Sequence, residues 1–167
     1  KGLLLREGTI VDATIINAPP STKNESHSRD PEMRQTRKGN QWYFGMKAHV
    51  GCDARRGLAH SVVVTDAAVH DSQVMEDLLH GEERAVYGDK AYANETKAQA
   101  YERNGIAWRV HRKAKPGQPL SKRDRAWNRR QSRIRAKGEH AFRVVKHLWG
   151  YSKVRYKGLA KNAAQVF

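Results

Sequence analysis

Three carboxylates stand where a side chain could do chemistry. Asp12 interrupts the run Gly8-Thr9-Ile10-Val11-Asp12-Ala13-Thr14-Ile15-Ile16, and Asp89 closes Arg84-Ala85-Val86-Tyr87-Gly88-Asp89. Glu139 is, with Asp124, one of two acids in the last 60 residues. A carboxylate inside an apolar strand is costly unless something pairs with it. If the two strands are neighbours and a helix carrying Glu139 crosses their ends, three oxygen donors converge. Such a set suits a hard divalent cation such as Mg²⁺. Two such ions about 4 Å apart can activate a water or hydroxyl and stabilise the leaving oxygen of a phosphodiester. Each residue also has a plainer reading. Asp12 can be a buried aspartate satisfied by an arginine. Asp89 can be a turn residue or a cap, and Glu139, between Arg135 and Arg143, an ordinary i, i+4 ion-pair partner. His49, His70 and His140 lack a zinc-ligand spacing and are assigned no metal.

The elements that would position these groups can be read from periodicity. Residues 8–16 are β-branched on both faces and predict a central, buried strand. Residues 17–41 are polar, with Pro19-Pro20 and Pro31, and read as a long loop. Residues 42–50 alternate, placing Trp42, Phe44, Met46, Ala48 and Val50 on one face and Tyr43, Lys47 and His49 on the other. A turn over 51–57 and a returning strand over 58–64 complete a hairpin. Asp71 is expected to cap a helix reaching about residue 79. Residues 84–89 predict a short strand, 94–103 a helix stopped by Asn104-Gly105, and 106–110 another strand. A basic loop with Pro116, Gly117 and Pro119 then leads into one long helix over about 124–148. Projected at 100° per residue, Arg135, Glu139, Phe142 and Lys146 share one side of it. Ile134, Ala141, Val144, Val145 and Leu148 form the adjoining arc, toward the sheet. Gly138 costs that helix about 1 kcal/mol relative to Ala; close approach of another backbone or of DNA would explain it. Strands alternating with helices predict an α/β fold, a mixed sheet covered by helices.

Charge narrows the class of partner. The 167 residues carry a net +15. Residues 1–107 are close to neutral, at −1, whereas residues 108–167 hold 18 Lys and Arg against Asp124 and Glu139, a net +16. Such a field draws in a polyanion, because each neutralised phosphate releases condensed counterions. Nucleic acid is the expected partner. An anionic membrane surface is the poorer match, since the basic stretch lacks a broad apolar face. No stretch approaches the roughly 18 apolar residues of a membrane span, and no signal-peptide pattern opens the chain. The single cysteine, Cys52, permits neither an internal disulfide nor a cysteine-based zinc framework, so a cytoplasmic location is expected. The chain starts at Lys1 and ends Gln165-Val166-Phe167, which reads as a piece of a longer protein.

The run Ser132-x-x-Arg135-x-x-x-Glu139, followed seven residues later by Lys146, resembles the third-motif signature of DDE transposases from bacterial insertion sequences: Tyr, two residues, Arg, three residues, Glu, six residues, Lys. The string from Arg133 to Lys146 is similar to the IS-five branch of the IS-four/IS-five superfamily. So are Val11-Asp12-Ala13-Thr14, Phe44-Gly45-Met46-Lys47-Ala48-His49, Val69-His70-Asp71-Ser72, Gly88-Asp89-Lys90-Ala91-Tyr92 and Lys153-Val154-Arg155-Tyr156-Lys157-Gly158-Leu159. The motifs follow in order along nearly the whole chain. Ser132 replaces the signature tyrosine, and Gly138 and Ala141 stand where family members often have Val and Pro.

The resemblance implies a single ribonuclease-H-like catalytic domain over 1–167, a mixed β-sheet flanked by helices, without the family's N-terminal DNA-binding region. It implies that Asp12, Asp89 and Glu139 are catalytic and bind two Mg²⁺ ions, with Mn²⁺ as a substitute. Arg135 and Lys146 would hold the phosphates of the transposon end, while the roles of His70 and Asp71 stay open. Together with the charge, it leads to a transposase that cleaves double-stranded DNA at transposon ends and joins it to target DNA. The polar 17–41 loop and the basic helix would form the DNA groove, with Lys122, Arg123, Arg125, Arg129, Arg130 and Arg133 on phosphates. A homodimer or larger assembly on DNA is expected, because two ends must be held together. Two alternatives remain: a truncated remnant that binds DNA and cuts nothing, and a ribonuclease-H-like nuclease with a host role.

Overall fold

A computed structural model describes residues 6–166; Lys1 and Phe167, on which the expectation of a truncated chain rests, lie outside them. The first strand, β1 (Thr9–Asn17), forms where the β-branched run predicts it. Strands β2 (Arg34–Lys38), β3 (Gln41–Asp53), β4 (Ala59–Asp66), β5 (Ala85–Tyr87) and β6 (Ala107–Trp108) complete a six-stranded sheet. β3 pairs antiparallel with β1 along one edge. Its other edge is divided: Gln41 to Gly45 face β2, and Met46 to Cys52 face β4. On the far side of β1, β5 and β6 run parallel to it. Four strands joined antiparallel, β1 to β4, and two that run parallel to β1, with helices on both faces, make the ribonuclease-H-like mixed sheet that the resemblance implies.

Alternation along β1 divides the core. Ile10 and Ile16 lie on the face of Met46, Ala48, Val50 and Cys52, under α3 (Glu139–Arg143), the π-helical turn Val144–Leu148 and α4 (Leu159–Val166). Val11 lies on the opposite face, with Met75, Leu78, Val86 and Tyr92, partly covered by α1 (Glu95–Arg103). The thiol of Cys52 is buried and its pKa is pushed up to about 12 by desolvation, so it stays protonated and inert.

Four elements differ from their sequence reading. β2 lies inside the stretch read as loop; Arg-Gln-Thr-Arg-Lys has no apolar alternation to announce a strand. Residues 71–79 form two short 3₁₀ turns rather than one helix. The first is capped by His70, whose ring accepts the Ser72 N–H, and not by Asp71. The helix read over 124–148 is broken into α2 (Lys122–Arg135), α3 and the π turn. Helix α4 was not expected. The side chain of Asn162 accepts from Tyr151 Oη and the N–H groups of Arg155 and Tyr156, and fastens α4 to the preceding loop.

The break in the long helix has a packing cause. Lys137, Gly138, His140 and Ala141 all donate to the carbonyl three residues back, the tighter 3₁₀ winding. At Gly138 an added Cβ would stand 3.0 Å from Ile10 Cγ2. Glycine therefore lets this turn rest directly on β1. Lys137 anchors it from the other side, donating to the Ala54 and Arg55 carbonyls.

Candidate functional site

The parallel pairing of β1 with β5 sets Ile10 beside Tyr87. Two residues further on come Asp12, still within β1, and Asp89, just past the end of β5, where neighbouring strands are about 4.8 Å apart. Asp89 is close enough that its charge acts on Asp12. Asp12 Oδ2 accepts from Arg135 Nη2 at 3.0 Å, and Oδ1 accepts the Ala13 N–H at 2.9 Å. Burial raises the Asp12 pKa above its usual value; Arg135 and the Ala13 N–H oppose that shift and Asp89 adds to it. Asp89 Oδ1 accepts the Ala91 N–H at 2.7 Å, capping the 3₁₀ turn Lys90–Tyr92. The plainer readings of both aspartates are thus part of the structure, and neither removes them from the shared position.

Other polar groups surround the pair. β6 is carried on by the bond from the His111 N–H to the Gly88 carbonyl, which brings His111 alongside. Its Nε2 lies 3.3 Å from Ser132 Oγ, at the place of the signature tyrosine. Burial and Arg135 lower the His111 pKa, against the charge of Asp89. Tyr92 is buried, and its hydroxyl has no hydrogen-bond partner. Burial raises its pKa, and so do the charges of Asp71, Asp12 and Asp89. Asp71 itself holds Lys47 Nζ at 2.9 Å. Sequence reasoning passed over His111 and Tyr92; Tyr92 stood inside the quoted Gly88–Tyr92 string, whereas no local signal marks His111.

Glu139 is placed differently. It stands exposed at the start of α3, along a shallow groove with Phe142, Arg143, Lys146 and His147. Four residues at 3₁₀ winding carry it about 120° from Arg135, against about 40° in an unbroken α-helix. Arg135 therefore turns toward Asp12 while Glu139 faces solvent, and among the described residues Glu139 makes no ion pair. Among the described residues, no group of three or more His, Cys, Asp or Glu side chains is arranged to hold a metal ion. The chemistry of the Asp12–Asp89 pair, two carboxylate donors side by side, does suit a hard divalent cation.

The cationic surface follows α2. Ser121 caps this helix by accepting the Asp124 N–H, and the Asp124 carboxylate pairs with Arg112 and accepts from Ser121 Oγ; these contacts lower its pKa. Lys122, Arg123, Arg125, Arg129, Arg130 and Arg133 are all exposed, and Lys146 is half-buried. The indole of Trp127 lies under three guanidinium groups, Arg112 at 4.8 Å, Arg109 at 5.1 Å and Arg130 at 5.9 Å. Cation–aromatic stacking holds that positive charge close together in spite of its self-repulsion. No described helix is long and apolar enough to cross a membrane.

Comparison with known families agrees with this geometry. The family described as Transposase DDE domain matches residues 4–167.

Proposed function

The chain belongs to the Transposase DDE domain family, and on that premise we propose that it cuts double-stranded DNA at transposon ends and joins the freed end to target DNA. The observation that carries this reading is the juxtaposition of Asp12, inside β1, with Asp89, just past the end of the neighbouring β5, beside a cationic helix. Asp12 and Asp89 would hold Mg²⁺, two ions in the full site and Mn²⁺ in their place, with Glu139 as the third ligand. Bound there, the cations would supply Lewis acidity to an attacking water or hydroxyl and to the leaving oxygen. The chain's own residues do the positioning. Arg129, Arg130 and Arg133 would take backbone phosphates and set the duplex along α2. A phosphate at the site would compete with Asp12 for Arg135, and Lys146 would take the next phosphate along. Glu139 would reach the aspartates by rotation of α3 about the glycine-containing turn. An IS-five-type element and assembly as a dimer or larger complex on DNA belong to the same proposal.

The test is nicking of supercoiled DNA in Mg²⁺ by this chain and by Asp89→Asn. The expected result is a loss of roughly 10²-fold or more in the variant, with an unchanged unfolding midpoint; equal activity would refute the assignment. A second reading has one observation in its favour. With Glu139 outside the aspartate pair, the chain as it stands could bind DNA and cut nothing. Salt-dependent binding without cleavage in either Mg²⁺ or Mn²⁺ would select it.

A further inference from the structure

The hairpin of β2 and β3 extends past the rest of the sheet. β1 ends at Asn17, opposite Gly45, so Gln41 to Phe44 continue with β2 as their partner. The result is a two-stranded ribbon closed by the Gly39-Asn40 turn, with Gly39 at φ 62°. Its composition is one-sided. No acid occurs between Met33 and Cys52, while Arg34, Arg37 and Lys38 are all exposed and make no ion pair among the described residues. Arg37 braces the turn, donating to the Gly39 carbonyl and Asn40 Oδ1. Beside it in the ladder stands Trp42, 64% exposed, the most exposed tryptophan in the chain.

Register sets the direction of this ribbon. Asp12 pairs with Val50, and Val50, Ala48, Met46, Phe44 and Trp42 share one face of β3. Trp42 and Arg37 therefore project on the same face as Asp12, about 27 Å along the strand. The Arg143–Lys146–His147 groove lies on that face as well; burial, and after it the charge of Lys38 in the ribbon, lower the Lys146 pKa. A ribbon of five residues per strand is about 17 Å long, and the major groove, about 12 Å wide, admits a two-stranded β-ribbon.

We propose that the Arg34–Lys38/Gln41–Gly45 ribbon enters the major groove of duplex DNA, about 8 base pairs from the phosphate at Asp12. Trp42 would contact base edges there, with Arg34 and Lys38 on the flanking phosphates. The inference rests on the DNA-cutting reading for its reference point at Asp12, and extends it by naming an element that reads sequence. An exposed indole gives apolar contact to a thymine methyl, and Gln35, which pairs with Phe44 on the face of Trp42, carries an amide of the kind that pairs with adenine.

Fluorescence anisotropy on a mixed-sequence duplex of about 40 base pairs, across a salt series, tests the phosphate contacts. Arg34→Ala/Lys38→Ala is expected to flatten the log–log salt slope by about 1.8, at about 0.9 per contact. Dimethyl sulfate footprinting tests the groove: protection of guanine N7 by the intact chain should be lost in Trp42→Ala. These positions are exposed, and circular dichroism checks that the variants fold. An unchanged slope together with unchanged N7 protection overturns the proposal. So does a ribbon variant that alters only the oligomeric state, since β2 would then be pairing with a second copy. Failure here is separable from failure of the catalytic reading. Ribbon-dependent binding by a chain that never nicks refutes the catalytic reading and supports the ribbon. Nicking with ribbon-independent binding does the reverse.

Discussion

Arg135 donates to one oxygen of Asp12 and the Ala13 N–H to the other, which partly offsets the cost of half-burying this carboxylate next to Asp89. Removing the guanidinium leaves Asp12 facing a like charge. Arg135→Ala should cost about 1–3 kcal/mol by urea titration, the range for orphaning one member of a partly buried pair. The raised pKa of Asp12 has a definite sign. The folded state holds that proton more tightly than the unfolded chain, so its contribution is fully present below the ordinary value of 3.8 and is lost as pH rises through the higher folded value. Asp12→Asn lacks this contribution, and its stability relative to the parent should therefore improve as pH rises above 3.8. His49 acts in the opposite sense. Buried beside Thr65, its pKa is lowered to about 4 by desolvation, so the fold is most stable with this ring neutral. That stability should be lost as pH falls from 6.5 to about 4, by about 3 kcal/mol. His49→Gln should remove this part of the acid sensitivity, read from urea midpoints across that interval.

The break between α2 and α3 is the element whose geometry decides most about the site. It depends on a contact 3.0 Å from an added Cβ to Ile10 Cγ2. Gly138→Ala should be close to neutral, because about 1 kcal/mol of helix propensity offsets the tightened contact. Gly138→Val should cost about 1–3 kcal/mol. Combining it with Ile10→Val should recover part of the loss, and a double-mutant cycle read by thermal unfolding measures the coupling. From the sequence, close approach of a backbone or of DNA would account for this glycine; the neighbour is instead a side chain of β1. The ribbon element is a related case. β3 was legible from its alternation, whereas β2 was not, because a strand exposed on both faces has no apolar period.

At the scale of the whole molecule, the basic last 60 residues form α2, the loop before it and everything after it, and the near-neutral residues 1–107 supply most of the sheet. DNA binding should therefore weaken steeply with salt, by about 0.9 in the log–log slope for each phosphate contact. Arg129→Ala/Arg130→Ala should reduce that slope by about 1.8 in an anisotropy titration. Composition alone determined this polyanion-seeking character, since net charge does not depend on folding. Local patterning determined the β-branched strand around Asp12, the helix closed by Asn104-Gly105 and the short strand before Asp89, because such signals reside in neighbouring residues. Tertiary structure decided the rest. It set the two aspartates side by side through a parallel pairing that no local signal specifies. It gave Asp12 an arginine 123 residues away, and it turned Glu139 outward. The physical reason is common to all three. These arrangements follow from which surfaces close-pack across the sheet, down to one glycine seated on one isoleucine, and long-range packing is not encoded in the period of any single segment.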